Sequence, residues 1–233
     1  MLHPNLDPLK WRDALARQRR LQIRPILQPR AAEALHLCLS RDVPWTLAFR
    51  RNDHSSTLDR EHYADLDDPA RDRLLREIAA EARGRYAFAY ESYMMIRNYN
   101  EGRDPDLLLH RILEYLNSEE FLYFARSLTG FSEIRRISAQ ATRYRPGHFL
   151  RIHNDVDADE GRLAAYVINL TRRWSPDWGG LLHFMDTTGE VVDSFTPHFN
   201  SLSVFLVPSD HAVSLVAPFA EQDRLAITGW FQT

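Results

Sequence analysis

Apolar residues are spaced differently in the two halves of this chain. In the first half they recur three or four positions apart, the spacing of amphipathic helices. Asp7 and Pro8 open a predicted helix with Leu9, Trp11, Leu15 and Ala16 as its stripe and Arg17–Arg20 at its basic end. Leu21–Leu27 alternates like a strand, and Pro25 confines it to a sheet edge. Pro29–Ser40 is a second helix, with Ala31, Ala32, Leu35 and Leu39 on one face, and Trp45–Arg50 is a strand. Asp67-Asp68-Pro69 caps a helix that runs to Arg83 before Gly84. Tyr86–Ile96 is aromatic and strand-like, and Arg97–Asp106 is polar and turn-prone. Pro105–Leu116 and Ser118–Leu128 complete the helices, with Gly130 as the stop.

From Ile134 onward, short runs of Val, Ile, Leu, Phe and Thr return about every ten residues, broken by Pro-Gly, Asp-rich or Gly-Gly segments. They are Ile134–Tyr144, His148–His153, Leu163–Thr171, Leu181–Met185, Ser201–Val207, Ala212–Ala217 and Arg224–Phe231. So many strands without intervening helices predict an antiparallel sandwich or barrel. The expected fold is α+β: a double-stranded β-helix (jelly roll, cupin-like) with N-terminal helices packed outside the sheet. No linker divides the chain, so residues 1–233 read as a single domain. Residues 1–133 form its helix-rich part and residues 134–233 its jelly-roll core.

Composition narrows the function. With 29 basic and 32 acidic residues the net charge is −3, too balanced for the basic field that nucleic-acid binding needs. Cys38 is the only cysteine, which excludes an intrachain disulfide and a thiolate zinc site. The first ten residues have no apolar h-region, and no apolar run approaches the ~18 residues of a membrane span. The expectation is a soluble, cytoplasmic protein that engages neither membrane nor nucleic acid. No oligomeric state follows from the sequence.

Candidate chemistry lies among the ten histidines. His153-Asn154-Asp155 ends a predicted strand, where residues i and i+2 project to the same face. His211 begins a strand 56 positions later, a plausible return distance in a jelly roll. Two imidazoles and a carboxylate on one side of a metal form the facial triad favoured by non-haem Fe(II), with the opposite positions open. His148, His183 and His198 read as ordinary residues.

Arg224 opens the run Arg224-Leu-Ala-Ile-Thr228-Gly-Trp230-Phe, thirteen residues after His211. An arginine among apolar strand residues is costly without a partner. Its planar fork suits the distal carboxylate of a dicarboxylate such as 2-oxoglutarate. Thr228 shares its strand face and offers a hydroxyl.

The order His-x-Asp, His, Arg resembles the prolyl-hydroxylase branch of the Fe(II)/2-oxoglutarate-dependent dioxygenases, from about Ile134 to Thr233. Tyr144-Arg-Pro-Gly147-His-Phe-Leu-Arg-Ile-His153-Asn-Asp155 looks like that branch's Tyr-x-x-Gly-x-x-x-x-x-His-x-Asp entry. Trp178-Gly179-Gly180-Leu-Leu-His-Phe and Arg224–Phe231 are similar to its Gly-Gly strand and closing strand. The helical half, including Glu101-Gly-Arg-Asp-Pro105, resembles bacterial relatives of the yeast ribosomal-protein prolyl hydroxylase.

The resemblance implies Fe(II) at His153, Asp155 and His211, and 2-oxoglutarate at Arg224, helped by Tyr144 and Thr228. It also implies dioxygen as co-substrate and ascorbate as a stimulant. Asn169 stands where better-known members carry a tyrosine that assists the arginine, and Leu150 where animal enzymes often carry a second tyrosine. The implied substrate is a proline-bearing protein or peptide. Two other readings remain open: hydroxylation of a free amino acid or small metabolite, and a non-catalytic cupin-like protein that holds a metal or ligand. Glu91–Asp106 reads either as a mobile lid or as an ordinary connection. Trp174 and Trp178 read either as groove walls or as core anchors.

Overall fold

The computed structural model describes residues 1–157 and 159–233. Seven α-helices occur among them: α1 (Leu9–Gln18), α2 (Pro29–Arg41), α3 (Arg60–Asp65), α4 (Asp68–Glu81), α5 (Met95–Asn100), α6 (Leu108–Leu116) and α7 (Glu119–Thr129). The first-half strands are β1 (Arg20–Ile23), β2 (Thr46–Arg51), β3 (His54–Thr57) and β4 (Phe88–Tyr93). The others are β5 (Arg136–Ile137), β6 (Gln140–Tyr144), β7 (Phe149–His153), β8 (Arg162–Asn169) and β9 (Leu182–Met185), followed by β10 (Val191–Phe195), β11 (Ser201–Leu206), β12 (His211–Val213) and β13 (Arg224–Gln232). All thirteen belong to one sheet, ordered β1-β11-β8-β13-β6-β4-β7-β12-β9-β10, with β2, β3 and β5 attached beside this path. Every pairing is antiparallel.

The sheet curls until its ends meet. Arg20 on β1 pairs with Asp193 on β10 at 2.9 Å, and Gln22 donates to the Thr196 carbonyl. The result is the near-barrel of a double-stranded β-helix with helices on its outside. β8 is buried on both faces because it lies between two cores. Ala164, Tyr166 and Ile168 face the helices, packing with Leu15, Leu35, Phe121 and Phe231. Ala165 and Val167 face the barrel interior with Phe184, Phe205 and Ala226.

Local chemistry sets the helix ends. The Asp67 carboxylate accepts the Ala70 N–H at 2.8 Å, Ser118 Oγ caps α7, and Gly130 ends it at φ +81°. α6 lays Leu109, Ile112, Leu113 and Leu116 against the core, each contributing about 1.5–3 kcal/mol by burial.

Several elements differ from expectation. The helix-rich part supplies sheet as well, since β4 sits between β6 and β7. β3 and α3 carry little apolar signal, all four residues of β3 being exposed, and β10 was not expected although it holds Val191, Val192 and Phe195. The run Ile134–Tyr144 splits into β5 and β6 at Ser138. Both pieces pair with β13, but at Ser138 the side chain replaces the backbone as acceptor: its N–H goes to the Trp230 carbonyl, and its Oγ takes the Trp230 N–H. Strand structure in Ala212–Ala217 is confined to the start, since β12 spans only His211–Val213.

Glu91–Asp106 is not a free lid. Glu91 is fully buried, α5 follows β4, and Asp104 is gripped by both terminal nitrogens of Arg60 and by the Tyr93 hydroxyl. Among the described residues no helix is long and apolar enough to cross a membrane.

Candidate metal centre

β7 and β12 are neighbours, and His153 stands directly across from His211 in their register. The imidazoles lie 4.1 Å apart, centroid to centroid. Asp155 joins them by a route that strand alternation does not describe. β7 ends at His153, and Asp155 takes a left-handed φ of +62°, which turns its carboxylate back toward the rings. Asp155 Oδ1 lies 3.2 Å from His153 Nε2, and Oδ2 lies 3.5 Å from His211 Nε2. One donor atom from each residue falls within 4.8 Å of the others, spacing that suits a single metal ion.

The outer ring nitrogens fix which atoms are free. His153 Nδ1 bonds the Arg151 carbonyl at 3.0 Å, and His211 Nδ1 bonds the Ser209 carbonyl at 2.8 Å. A carbonyl only accepts, so each Nδ1 carries a hydrogen, and in the neutral ring Nε2 then keeps its lone pair for a metal. Burial, and then the His153 charge, push His211 down to about 4, so it is neutral at physiological pH. Burial alone would raise the Asp155 carboxyl. The hydrogen bond and charge of His153 and the charge of His211 outweigh it and hold the group below the usual carboxylate range. The Trp230 indole leans the same way, short of hydrogen-bond geometry.

The three side chains line a cavity of about 370 Å³ inside the barrel, shared with Tyr144, Arg224 and Thr228. Phe205, Leu182, Val213 and Val167 make its walls largely apolar. Arg224 is 3% exposed; its Nε and Nη1 are sealed from solvent without a partner. The Tyr144 ring lies 5.1 Å from the guanidinium and stacks on Tyr90. A buried cation lacking an acceptor is destabilising until an anion reaches it, and a carboxylate matches its fork. The donor set and the orphaned guanidinium thus fit a divalent transition metal of borderline softness and a carboxylate ligand.

Asn169 is buried on the same inner face but is not in the cavity lining; its Nδ2 donates to Ser201 and Ser203. Leu150 lines the cavity as an apolar wall. His148 is buried away from it, pushed down to about 4 by burial, and His183 bonds Ser194 Oγ. Trp174 and Trp178 pack edge to face, with Trp174 Nε1 donating to the Gly179 carbonyl, and neither lines the cavity.

Sequence reasoning passed over Tyr86, Tyr90, Arg162 and Trp230 as site residues, though all four line the cavity. Trp230 was within reach, sharing the strand face of Arg224 and Thr228. Arg162 lies 3.8 Å over its ring. Tyr86, 5.5 Å from the His153 ring, comes from the helix-rich half and gave no signal.

Residues 139–232 match the sequence profile of the 2OG-Fe(II) oxygenase superfamily. Over 126 residues the chain is 32% identical to prolyl 3-hydroxylase OGFOD1 of Mus musculus, covering 51% of this chain and 23% of that one. The Xenopus laevis OGFOD1 is 30% identical over 128 residues, covering 52% and 24%. The match thus spans about a quarter of the length of these curated relatives.

Among solved structures, a Pseudomonas putida prolyl-4-hydroxylase superposes with TM-score 0.59 at 20% identity, covering 97% of this chain and 99% of that one. A prolyl hydroxylase from Trichoplax adhaerens, solved with a hypoxia inducible factor peptide fragment, gives 0.62 at 15% identity, covering 96% and 88%. A Burkholderia pseudomallei oxidoreductase of the 2OG-Fe(II) oxygenase family gives 0.62 at 12% identity, covering 100% and 93%. These superpositions establish a shared fold.

Proposed function

We propose that this chain, whose residues 139–232 match the 2OG-Fe(II) oxygenase superfamily, is an oxygenase that hydroxylates prolyl residues of a protein substrate. His153, Asp155 and His211 would hold Fe(II), and Arg224 would hold the distal carboxylate of 2-oxoglutarate. The observation that carries this reading is the pairing, in one cavity, of two imidazoles and a carboxylate with a sealed, partnerless guanidinium. A protein that merely stores a metal has no use for that arginine.

When bound, Fe(II) supplies the activation of dioxygen, coupled to decarboxylation of 2-oxoglutarate to succinate and to hydroxylation of a C–H bond. This chain's residues supply position and charge balance. The Arg151 and Ser209 carbonyls aim the two Nε2 lone pairs. Asp155 contributes one negative charge and leaves a divalent metal net positive, which attracts a dianion. Phe205, Leu182 and Val213 keep water sparse around the reacting atoms. Tyr144, whose hydroxyl burial holds well above the ordinary phenol range, stays neutral and can donate to a carboxylate.

Prolyl specificity is supported by the curated relatives, which are prolyl 3-hydroxylases. A cytoplasmic setting suits a chain whose sole cysteine, Cys38, is buried and unpaired. We read residues 1–233 as one catalytic unit, since helices and sheet share a core. The test is decarboxylation of 2-oxoglutarate by the Fe(II) enzyme with prolyl peptides or with free proline, followed by mass spectrometry of host proteins from a deletion strain. Stimulation by peptides and a missing +16 Da prolyl product in the strain are expected. Stimulation by free proline alone would replace the protein substrate with a small metabolite.

A further inference from the structure

The assignment of Arg224 to a distal carboxylate, on which this inference rests, leaves the wall behind that arginine unexplained. Three polar atoms there are sealed from solvent without partners: Arg224 Nε, Arg224 Nη1 and Asn169 Oδ1. Asn169 on β8 stands across from Ala226 on β13, and Arg224 lies two residues along β13 on the same inner face. Two orphan donors and one orphan acceptor are therefore neighbours in register.

The orientation of the Asn169 amide follows from the groups around it. Ser201 Oγ donates its hydrogen to the His198 carbonyl at 2.7 Å, so toward Asn169 it can only accept. Asn169 Nδ2 accordingly gives one hydrogen to Ser201 at 3.1 Å and the other to Ser203 at 3.3 Å. Ser203 Oγ also accepts from Gln22 Nε2 at 3.1 Å, and Gln22 Nε2 is anchored in turn on the Thr196 carbonyl at 2.9 Å. Gln22 lies across from Ser203 on β1, the edge strand. With both amide hydrogens committed, Asn169 has none for a carboxylate. Only its carbonyl oxygen is free.

We propose that Asn169 acts on Arg224 and not on the co-substrate. Its Oδ1, which makes no hydrogen bond in this structure, would accept one from the guanidinium when a carboxylate draws the fork into place, and so hold it. Gln22, through Ser203, is the positioning residue that keeps the amide turned this way. The tyrosine expected at this position is thus replaced by a relay of different polarity, reaching from the sheet edge to the pocket.

The test is equilibrium binding to the Zn(II)-loaded protein, which is redox-inert, of 2-oxoglutarate and of pyruvate. Pyruvate has the same 2-oxo acid head and no distal carboxylate. Arg224→Ala should weaken 2-oxoglutarate and spare pyruvate; without that split, the assignment of Arg224 itself fails. Given the split, Asn169→Leu and Gln22→Leu should each weaken 2-oxoglutarate by about fivefold to tenfold, the worth of one buried hydrogen bond. Pyruvate should again be spared. In the same Zn(II) protein, the Arg224 Nε–H resonance should exchange slowly with solvent in the wild type and quickly in both variants. Equal losses for the two ligands would reduce the relay to a structural role and overturn the proposal. So would an Nε–H resonance indifferent to Asn169 and Gln22.

Discussion

Single side chains decide the chemistry here, and each makes a separate demand. Asp155 is the one acid among the three converging donors, and its carboxylate faces both Nε2 atoms. Asp155→Ala should therefore abolish Fe(II) binding in an anaerobic titration, and succinate formation with it; full turnover by this variant would refute the triad. Arg224→Ala should act elsewhere. Loss of a charge-assisted contact costs roughly 1.5–3 kcal/mol, so the 2-oxoglutarate requirement should rise by about tenfold to over a hundredfold. Fe(II) affinity should change little. Both residues were legible in the sequence because an acid beside a histidine and a cation within an apolar strand are conspicuous locally. Tyr86 was not, because its contact with His153 joins positions far apart in the chain.

At the scale of elements, the site depends on how β13 seats against its neighbours. Gly229 lies between Thr228 and Trp230, and a Cβ there would come 1.9 Å from the Ser138 carbonyl oxygen. That oxygen is fixed backbone, already bonded by the Tyr166 hydroxyl at 2.9 Å. Gly229→Ala should destabilise the fold by about 1–3 kcal/mol and lower Tm by several degrees in thermal denaturation. An unchanged Tm would show that this wall yields freely. The strand run of β13 was plain in the sequence, whereas its need for glycine came from Ser138, on a segment 91 residues earlier. Likewise β12 was recognisable near His211, but only its register with β7 sets His211 opposite His153.

For the whole molecule, two consequences follow from the shared core. β4 lies inside the sheet, and Leu15, Leu35 and Phe121 cover its helix-facing side with Ile168 and Ile227. A fragment comprising residues 134–233 would lose β1 and β4 and expose that surface. It should fail to give cooperative unfolding or protease resistance. Acid should also unfold the intact chain early. His148 and His211 are each pushed down to about 4, chiefly by burial, from an ordinary 6.5. Between those values the unfolded chain binds more protons than the folded one, so stability rises with pH. Stability from these residues is complete above about pH 6.5 and lost as pH falls toward 4, at up to about 1.4 kcal/mol per pH for each imidazole. Urea titrations of the metal-free protein from pH 7.5 to 4.5 should show this fall, and His148→Gln should flatten part of it.

The sequence by itself determined the alternation that makes strands, the spacing that makes helices, and the residue types able to bind a metal and an anion. Those are properties of a few neighbouring positions. Only the tertiary structure decided that His211 faces His153, that a left-handed turn returns Asp155 to them, and that Asn169 turns its hydrogens away from Arg224. Such facts arise from register between strands tens of residues apart, and from competition for a limited supply of buried hydrogen-bond partners. No local window of sequence contains either.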